Sequence, residues 1–494
     1  MSSLATRLTR SWPWIGQRSS FAGHAIISVA SGSLARAITI ASLPFVTRIY
    51  APADLGIWAI ILTLAVFFIP LATLRYEVAV IIAPTRRMAA ALVMVIGACT
   101  LAVAAAVAVS MFIAPHQLLE VISGLSADKQ GLLGLVPFVL AQLAGQAALQ
   151  AWLTRERKFG ALSLAQLIQA IVTAAAMLLL PLIAGASAAT AAAAAMMGLS
   201  MALAVTAGFC GREILAFVGR RSGCAARSAI LRFKVYPLYV LPYSLGAGLT
   251  ERVLQAVLAN AYSISALGTF YVARQLVMAP AMLVGEALRQ VHFAHSAQQS
   301  DAAQTKDRVR EILRLLIDAQ APGLAFCLFW LKPILTALTG AAWAPLGNFA
   351  WWILFPASTS LLCGWLSRML DVLGRQRLAV TIQLASDAAL IGIALLSPCI
   401  GLGEVEMIAA LSVGIALYHV IWLSITLSLM RFGLGEMLAL GARACGLCLL
   451  WSGMQFGLAA FMPGPSGLVA GSVLLVLSLV PLVLKLASRF QLTR

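Results

Sequence analysis

Residues Ser33–Val80 read SLARAITIASLPFVTRIYAPADLGIWAIILTLAVFFIPLATLRYEVAV. The stretch contains two apolar runs, each near the roughly 20 residues that a helix needs to cross a bilayer. A short turn from Thr47 to Asp54, marked by Pro52, joins them, so the segment reads as a transmembrane hairpin. Leu55-Gly56 opens the second helix with a small residue that permits close backbone approach. Arg36 lies within the first helix, and the second ends in the charged cluster Arg75-Tyr76-Glu77.

Composition extends this reading to the whole chain. The 494 residues are 62% hydrophobic and 10% charged, with a mean hydropathy of +0.96. That excludes a soluble protein of ordinary composition and implies a polytopic, all-α membrane bundle. A net charge of +17 would suggest nucleic acid in a soluble chain, but here the basic residues must first be assigned to a side of the membrane. The eight cysteines are scattered except for Cys445 and Cys448. With no histidine nearby these read as small buried hydrophobes, and neither a metal nor a cofactor is expected. The run after Arg7, Arg10 and Arg18 is too long for a signal-peptide core and is expected to stay as a span.

Further apolar segments lie at about 88–114, 132–153, 163–183 and 188–209, giving six in the first half. The second half has six more, at about 238–260, 268–288, 312–331, 348–366, 378–400 and 407–430, and two follow at 437–460 and 467–486. The expected organisation is an interfacial N-terminal segment (1–22), a six-helix bundle (23–210), a basic linker (211–237), a second six-helix bundle (238–430) and two added helices (431–494), about fourteen spans in all. The polar connector Gln290–Glu311 reads as an amphipathic inner-face helix. An internal echo supports the two halves: residues 49–58 align without gaps on residues 261–270, sharing Tyr50/Tyr262, Leu55-Gly56/Leu267-Gly268 and the aromatic pair Trp58/Phe270. The echo falls between the first and second spans of each half, where duplicated transporter halves correspond.

With a cytoplasmic N-terminus, the outer connectors hold only Arg48, Lys129 and Lys332. The inner ones hold the remaining clusters, among them Arg86 and Arg87, Arg155 to Lys158, Arg212 to Lys234, Arg289 to Arg314, and Arg368 to Arg377. By the positive-inside rule both termini are expected in the cytoplasm. The positive charge is then mainly a topology signal; it favours anionic lipid headgroups at the inner face and needs no nucleic acid.

The words Phe45-Val46-Thr47-Arg48-Ile49-Tyr50-Ala51-Pro52-Ala53-Asp54-Leu55-Gly56, followed by Leu74-Arg75-Tyr76-Glu77, resemble the opening of Wzx-like polysaccharide flippases. These belong to the multidrug/oligosaccharidyl-lipid/polysaccharide exporter superfamily. Glu251-Arg252-Val253-Leu254 and Leu267-Gly268-Thr269-Phe270-Tyr271-Val272-Ala273-Arg274 look like the second-half opening common in that family. The resemblance implies a non-enzymatic flippase in the inner membrane that carries an undecaprenyl-diphosphate-linked oligosaccharide. It also implies work beside polysaccharide polymerase and export machinery, with the last two helices forming a groove for the lipid tail.

Candidate site residues follow from the cost of polarity at membrane depth. An arginine at a helix centre costs about 2.5 to 3.5 kcal/mol on insertion scales, so Arg36, Arg252 and Arg274 call for a watery cavity, a partner or a ligand. Their planar forks match phosphate oxygens, and they are expected to converge in one cavity on a lipid-linked diphosphate. The alternative for Arg252 is a tie to Glu251 or Glu286. Gln142, Gln146 and Gln150 recur at one-turn intervals and read either as a sugar path or as interhelical glue. Glu251, Glu286, Asp318 and Asp387 are the candidate ion-coupling carboxylates. Two other functions compete: a drug or cation antiporter of the same superfamily, which would favour carboxylates, and a membrane glycosyltransferase or polymerase. The second suffers from short outer loops with dispersed acids. No Gly-rich loop followed by Lys-Ser/Thr marks an ATP site.

Overall fold

A computed structural model of the chain describes residues 21–217, 222–296, 302–367, 369–462 and 464–491. Within these, the side chains of 21–31, 222–224, 243, 247, 286–287, 289–296, 302–303, 371–372 and 482–491 are left aside. The expected interfacial segment 1–22 lies almost wholly outside the described residues.

The first half comprises α1 (Phe21–Ile49), α2 (Pro52–Thr73), the short α3 (Tyr76–Ile82), α4 (Arg86–Ile113), the short α5 (His116–Ser123), α6 (Val136–Arg155), α7 (Phe159–Ala184) and α8 (Ala188–Phe217). A basic helix, α9 (Ser222–Arg232), then packs on α4 and leads into the second half. That half holds α10 (Leu241–Val257), α11 (Ile264–Ser296), α12 (Ala302–Thr339), α13 (Leu346–Cys363), one-turn α14 (Met369–Val372), α15 (Gln376–Cys399) and α16 (Glu404–Leu429), with α17 (Leu434–Phe461) and α18 (Pro465–Gln491) added. Eleven helices among the described residues are long and apolar enough to cross a membrane, and Pro465–Pro481 is a shorter apolar segment. Each apolar segment expected from the sequence falls on a helix.

Local chemistry sets the boundaries. Pro52 at the start of α2 has no N–H to leave unpaired, and the Asp54 carboxylate accepts the Ala51 N–H at 3.1 Å, so the Ala-Pro-Ala-Asp word starts a helix within a two-residue turn. The second apolar run ends, as expected, at the Arg75-Tyr76-Glu77 cluster. Leu74 (φ 49°) and Arg75 (φ 59°) both adopt the left-handed conformation and break it before α3. Arg75 then pairs with Glu77 at 2.9 Å while Tyr76 is buried beneath them. The connector 290–311 also differs from expectation: instead of a separate inner-face helix, its flanks extend α11 and α12, whose 33 and 38 residues exceed one membrane thickness.

Packing divides by end rather than by half. At the end carrying the 50–51, 185–187 and 340–345 connectors, one apolar core joins both halves, from Trp58, Ile61 and Leu140 to Leu258, Trp343 and Phe349. At the opposite end the cores are separate, one around Tyr76, Ile96 and Trp152 and another around Leu313, Trp365 and Met430. Helices α17 and α18 pack on α12, where the Trp330 indole N–H donates to buried Gln455 at 2.9 Å and Gln455 donates to the Gly471 carbonyl at 3.3 Å.

Candidate functional site

The echoed Leu-Gly words meet at the joined end. A Cβ added to Gly268 would fall 2.8 Å from the Gly56 nitrogen and closer still to the Pro52 carbonyl oxygen, and one added to Gly56 would meet the Ile264 backbone. Only glycine lets α2 and α11 cross this closely. The close approach anticipated for Gly56 is therefore made across the two halves and not within the first hairpin.

Other contacts seal the same end. Helix α5, on the connector between α4 and α6, presents its last-turn carbonyls to α10: Arg252 donates to Ile122 O at 2.7 Å and Asn260 to Val121 O at 3.1 Å. Cations and donors are favoured at a helix C-terminus, where carbonyls lack partners. Trp343 donates to Tyr50 O at 3.2 Å and Arg48 to Leu338 O at 3.0 Å. At the other end, polar ties among the described residues stay within one half. Arg86–Glu156 (2.5 Å) and Lys158–Glu213 lie in the first, Lys306–Glu436 (2.7 Å) and Arg443–Asp318 (2.8 Å) in the second. The two lobes are thus closed together at the end of the glycine crossing and parted at the opposite one.

Below the closure lies a cavity of about 650 Å³ between the first bundle and α11. Arg36 and Thr39 reach it from α1, Trp58 from α2, Gln166, Gln169 and Thr173 from α7, and Tyr271, Gln275 and Met282 from α11. Arg36 lies 13 residues before the end of α1 and Gln275 11 residues after the start of α11, depths of about 20 and 16 Å at 1.5 Å per residue. The polar band therefore sits near mid-membrane. Arg36 donates to the Met282 sulfur at 3.7 Å, and a thioether is a weak acceptor that leaves the positive charge uncompensated. The cavity lining holds no carboxylate among the described residues.

The three arginines expected to converge are thus placed apart. Arg36 lines the cavity. Arg252 is buried with its guanidinium directed at α5, and Arg274 forms an ion pair with Glu251, which also accepts from Gln255 at 3.0 Å. The glutamine stripe on α6 faces α8: Gln142 donates to Ser200 at 2.6 Å, and buried Gln146 accepts from Thr206 at 2.9 Å. Gln150 lies one turn further along α6, where its carbonyl accepts from Thr154 at 2.8 Å. Among the carboxylates, Asp318 is held by Arg443 and Asp387 accepts from the amide of Gln383 at 3.0 Å, an amide that also binds Tyr418 at 2.7 Å. The Glu286 side chain lies outside the described residues.

The cavity amides Gln166, Gln169 and Gln275 were missed by sequence reasoning. The i, i+3, i+7 spacing of Gln166, Gln169 and Thr173 was the available signal, and it was masked by the more regular stripe on α6. Gly198 on α8 makes room for Thr173, since any Cβ there would collide with the threonine hydroxyl.

A family model described as "Polysaccharide biosynthesis protein" matches residues 45–347. No curated protein sequence matches the chain. Among solved structures, one titled "Lipid II flippase MurJ, inward closed conformation" superposes with a TM-score of 0.69 at 13% identity, covering 95% of this chain and all of its own. An inward-facing multidrug resistance MATE family transporter of the MOP superfamily gives 0.62 at 13% identity over 82% of this chain and 99% of its own. At such identities these likenesses show a shared fold. With the family model spanning most of the chain, this protein belongs to the polysaccharide biosynthesis protein family.

Proposed function

We propose that the chain is a flippase that carries an undecaprenyl-diphosphate-linked oligosaccharide across the cytoplasmic membrane by alternating access, with both termini in the cytoplasm. The observation that carries this reading is Arg36: a cation at mid-membrane, unneutralised by any carboxylate among the described cavity-lining residues and surrounded by amides. Such a site attracts a phosphate and repels a cationic drug, because charge is weakly screened where water is scarce. The antiporter reading would instead call for an acidic lining.

In this account the diphosphate enters through the parted inner end and meets the guanidinium fork of Arg36 while the sugars occupy the amide band. The polyprenyl tail stays in lipid, with the apolar trough between α17 and α18, lined by Met454, Phe461 and Leu477, as its track. The inner-face arginines and lysines hold anionic headgroups and orient the chain. Outer closure then breaks, α2 and α11 part at Gly56 and Gly268, and the inner ends come together. An ion coupled to this cycle would bind at Asp387, whose partner is an amide and not a cation.

The test is glycan export in cells carrying Arg36→Ala and Arg36→Lys at matched protein level. The alanine variant should lose most export and lysine should restore part of it, since lysine keeps the charge without the fork. Full export by Arg36→Ala would remove the basis of the reading.

A further inference from the structure

The charge and hydrogen-bonding inventory of the cavity constrains the glycan itself. Resting on the flippase reading above, we infer that the sugars next to the diphosphate are uncharged and hydroxyl-rich, and that Gln166, Gln169 and Gln275 recognise them while Trp58 and Tyr271 flank them. Gln166 and Gln169 stand one turn apart on α7, and Gln275 faces the same space from α11 across the lobes. No hydrogen bond ties the side chains of Gln166 and Gln169 to protein among the described residues, and Gln275 donates only to Tyr271 of its own helix, at 3.3 Å. A primary amide offers two donors and an acceptor with two lone pairs, the complement of vicinal hydroxyls. Left unpaired in a dry interior, such groups would be costly, so this band is built to face water or a ligand.

Charge supplies the second argument. A diphosphate diester brings two negative charges, and the cavity lining offers one arginine among the described residues. Arg274 is already spent on Glu251 and Arg252 on α5. An acidic sugar would add a further buried anion with no cation to meet it, whereas a neutral one costs only hydroxyl desolvation, which the amides repay. Trp58 and Tyr271 border the same space, the Tyr271 hydroxyl accepting from Gln275, and provide the apolar ring faces that fix orientation.

The experiment uses purified full-length protein in liposomes and three probes on the same polyprenyl diphosphate: no sugar, a neutral hexose disaccharide, and a disaccharide ending in a uronic acid. Wild type should move the neutral disaccharide about tenfold or more faster than the acidic one, the order expected for one unpaired charge. Gln169→Leu and Gln275→Leu should each slow the neutral disaccharide roughly fivefold more than they slow the sugar-free probe, as loss of one or two hydrogen bonds to sugar implies. Gln169→Arg should gain on the acidic probe. Equal rates of wild type on neutral and acidic disaccharides would overturn the inference even if no variant folds, as would leucine variants that slow all three probes alike. A wild type that moves none of the probes would instead defeat the flippase reading on which the inference rests.

Discussion

Adding one methyl group at Gly268 should hold the outer end open. In the closed form that Cβ would lie 2.8 Å from the Gly56 nitrogen and nearer still to the Pro52 carbonyl, and both of these are backbone atoms that no rotamer change can move. Helices α2 and α11 would have to separate by roughly an ångström, and overpacking of that kind costs about 1–3 kcal/mol. Only the outer-closed state bears the cost. The gain in helix propensity from Gly to Ala is shared by both states and cancels. Gly268→Ala should therefore lower the closed-to-open ratio about 5- to 150-fold. The assay is labelling of a single cysteine at Thr39, in a background without the native cysteines, by a membrane-impermeant maleimide from the outside. Labelling should rise strongly in Gly268→Ala and not in Gly246→Ala, where an added Cβ meets nothing within 4 Å. Unchanged labelling at matched protein level would refute the idea that this glycine crossing is the outer closure.

Other outcomes follow from the same contacts. Arg252→Ala removes the donor to Ile122 O and should also raise Thr39 labelling, because a hydrogen bond to a charged group contributes about 1.5–3 kcal/mol; labelling equal to wild type would leave Arg252 outside the closure. Gln455→Leu strands the buried Trp330 N–H and should lower stability by about 1–3 kcal/mol in thermal unfolding in detergent, with transport by the folded fraction retained. The half-exposed Arg443–Asp318 pair should couple by about 1 kcal/mol or less in a double-mutant cycle, so a much larger value would mean that the pair is effectively buried. Reporter fusions at Ser187 and Ser265 should read outside and one at Ser222 inside; an inside signal at Ser265 would reverse the assignment of the closed end.

The helical bundle was legible because apolar runs of membrane length have few alternatives. The family was legible in the short words from Phe45 to Gly56 and from Leu74 to Glu77, and the echo of Leu55-Gly56 in Leu267-Gly268 marked the two residues that cross at the closure. What the sequence did not disclose was direction. Arg36, Arg252 and Arg274 are alike as intramembrane cations, yet one faces a cavity, one a helix end and one a carboxylate, and a one-dimensional pattern does not record which side of a helix meets which neighbour. The same ambiguity favoured Gln142 and Gln146, which bind α8, over Gln166 and Gln169, which face open space. The end of α2 at the Arg75-Tyr76-Glu77 cluster was legible from its charge, but the left-handed conformation of Leu74 and Arg75 was not, since two non-glycine residues there carry no compositional mark.

Recognition of a lipid-linked diphosphate by Arg36, the one arginine lining the cavity among the described residues, is tested most directly by reconstitution. Purified wild type and Arg36→Ala would be placed in liposomes with a fluorescent polyprenyl-diphosphate oligosaccharide, and its appearance in the opposite leaflet followed by quenching, alongside a cationic dye. Wild type should move the lipid without changing its glycan length and should ignore the dye, and Arg36→Ala should move the lipid at least about tenfold more slowly, the loss expected for one charge-assisted phosphate contact. Dye transport without lipid movement, or equal lipid movement by both proteins, would contradict the account.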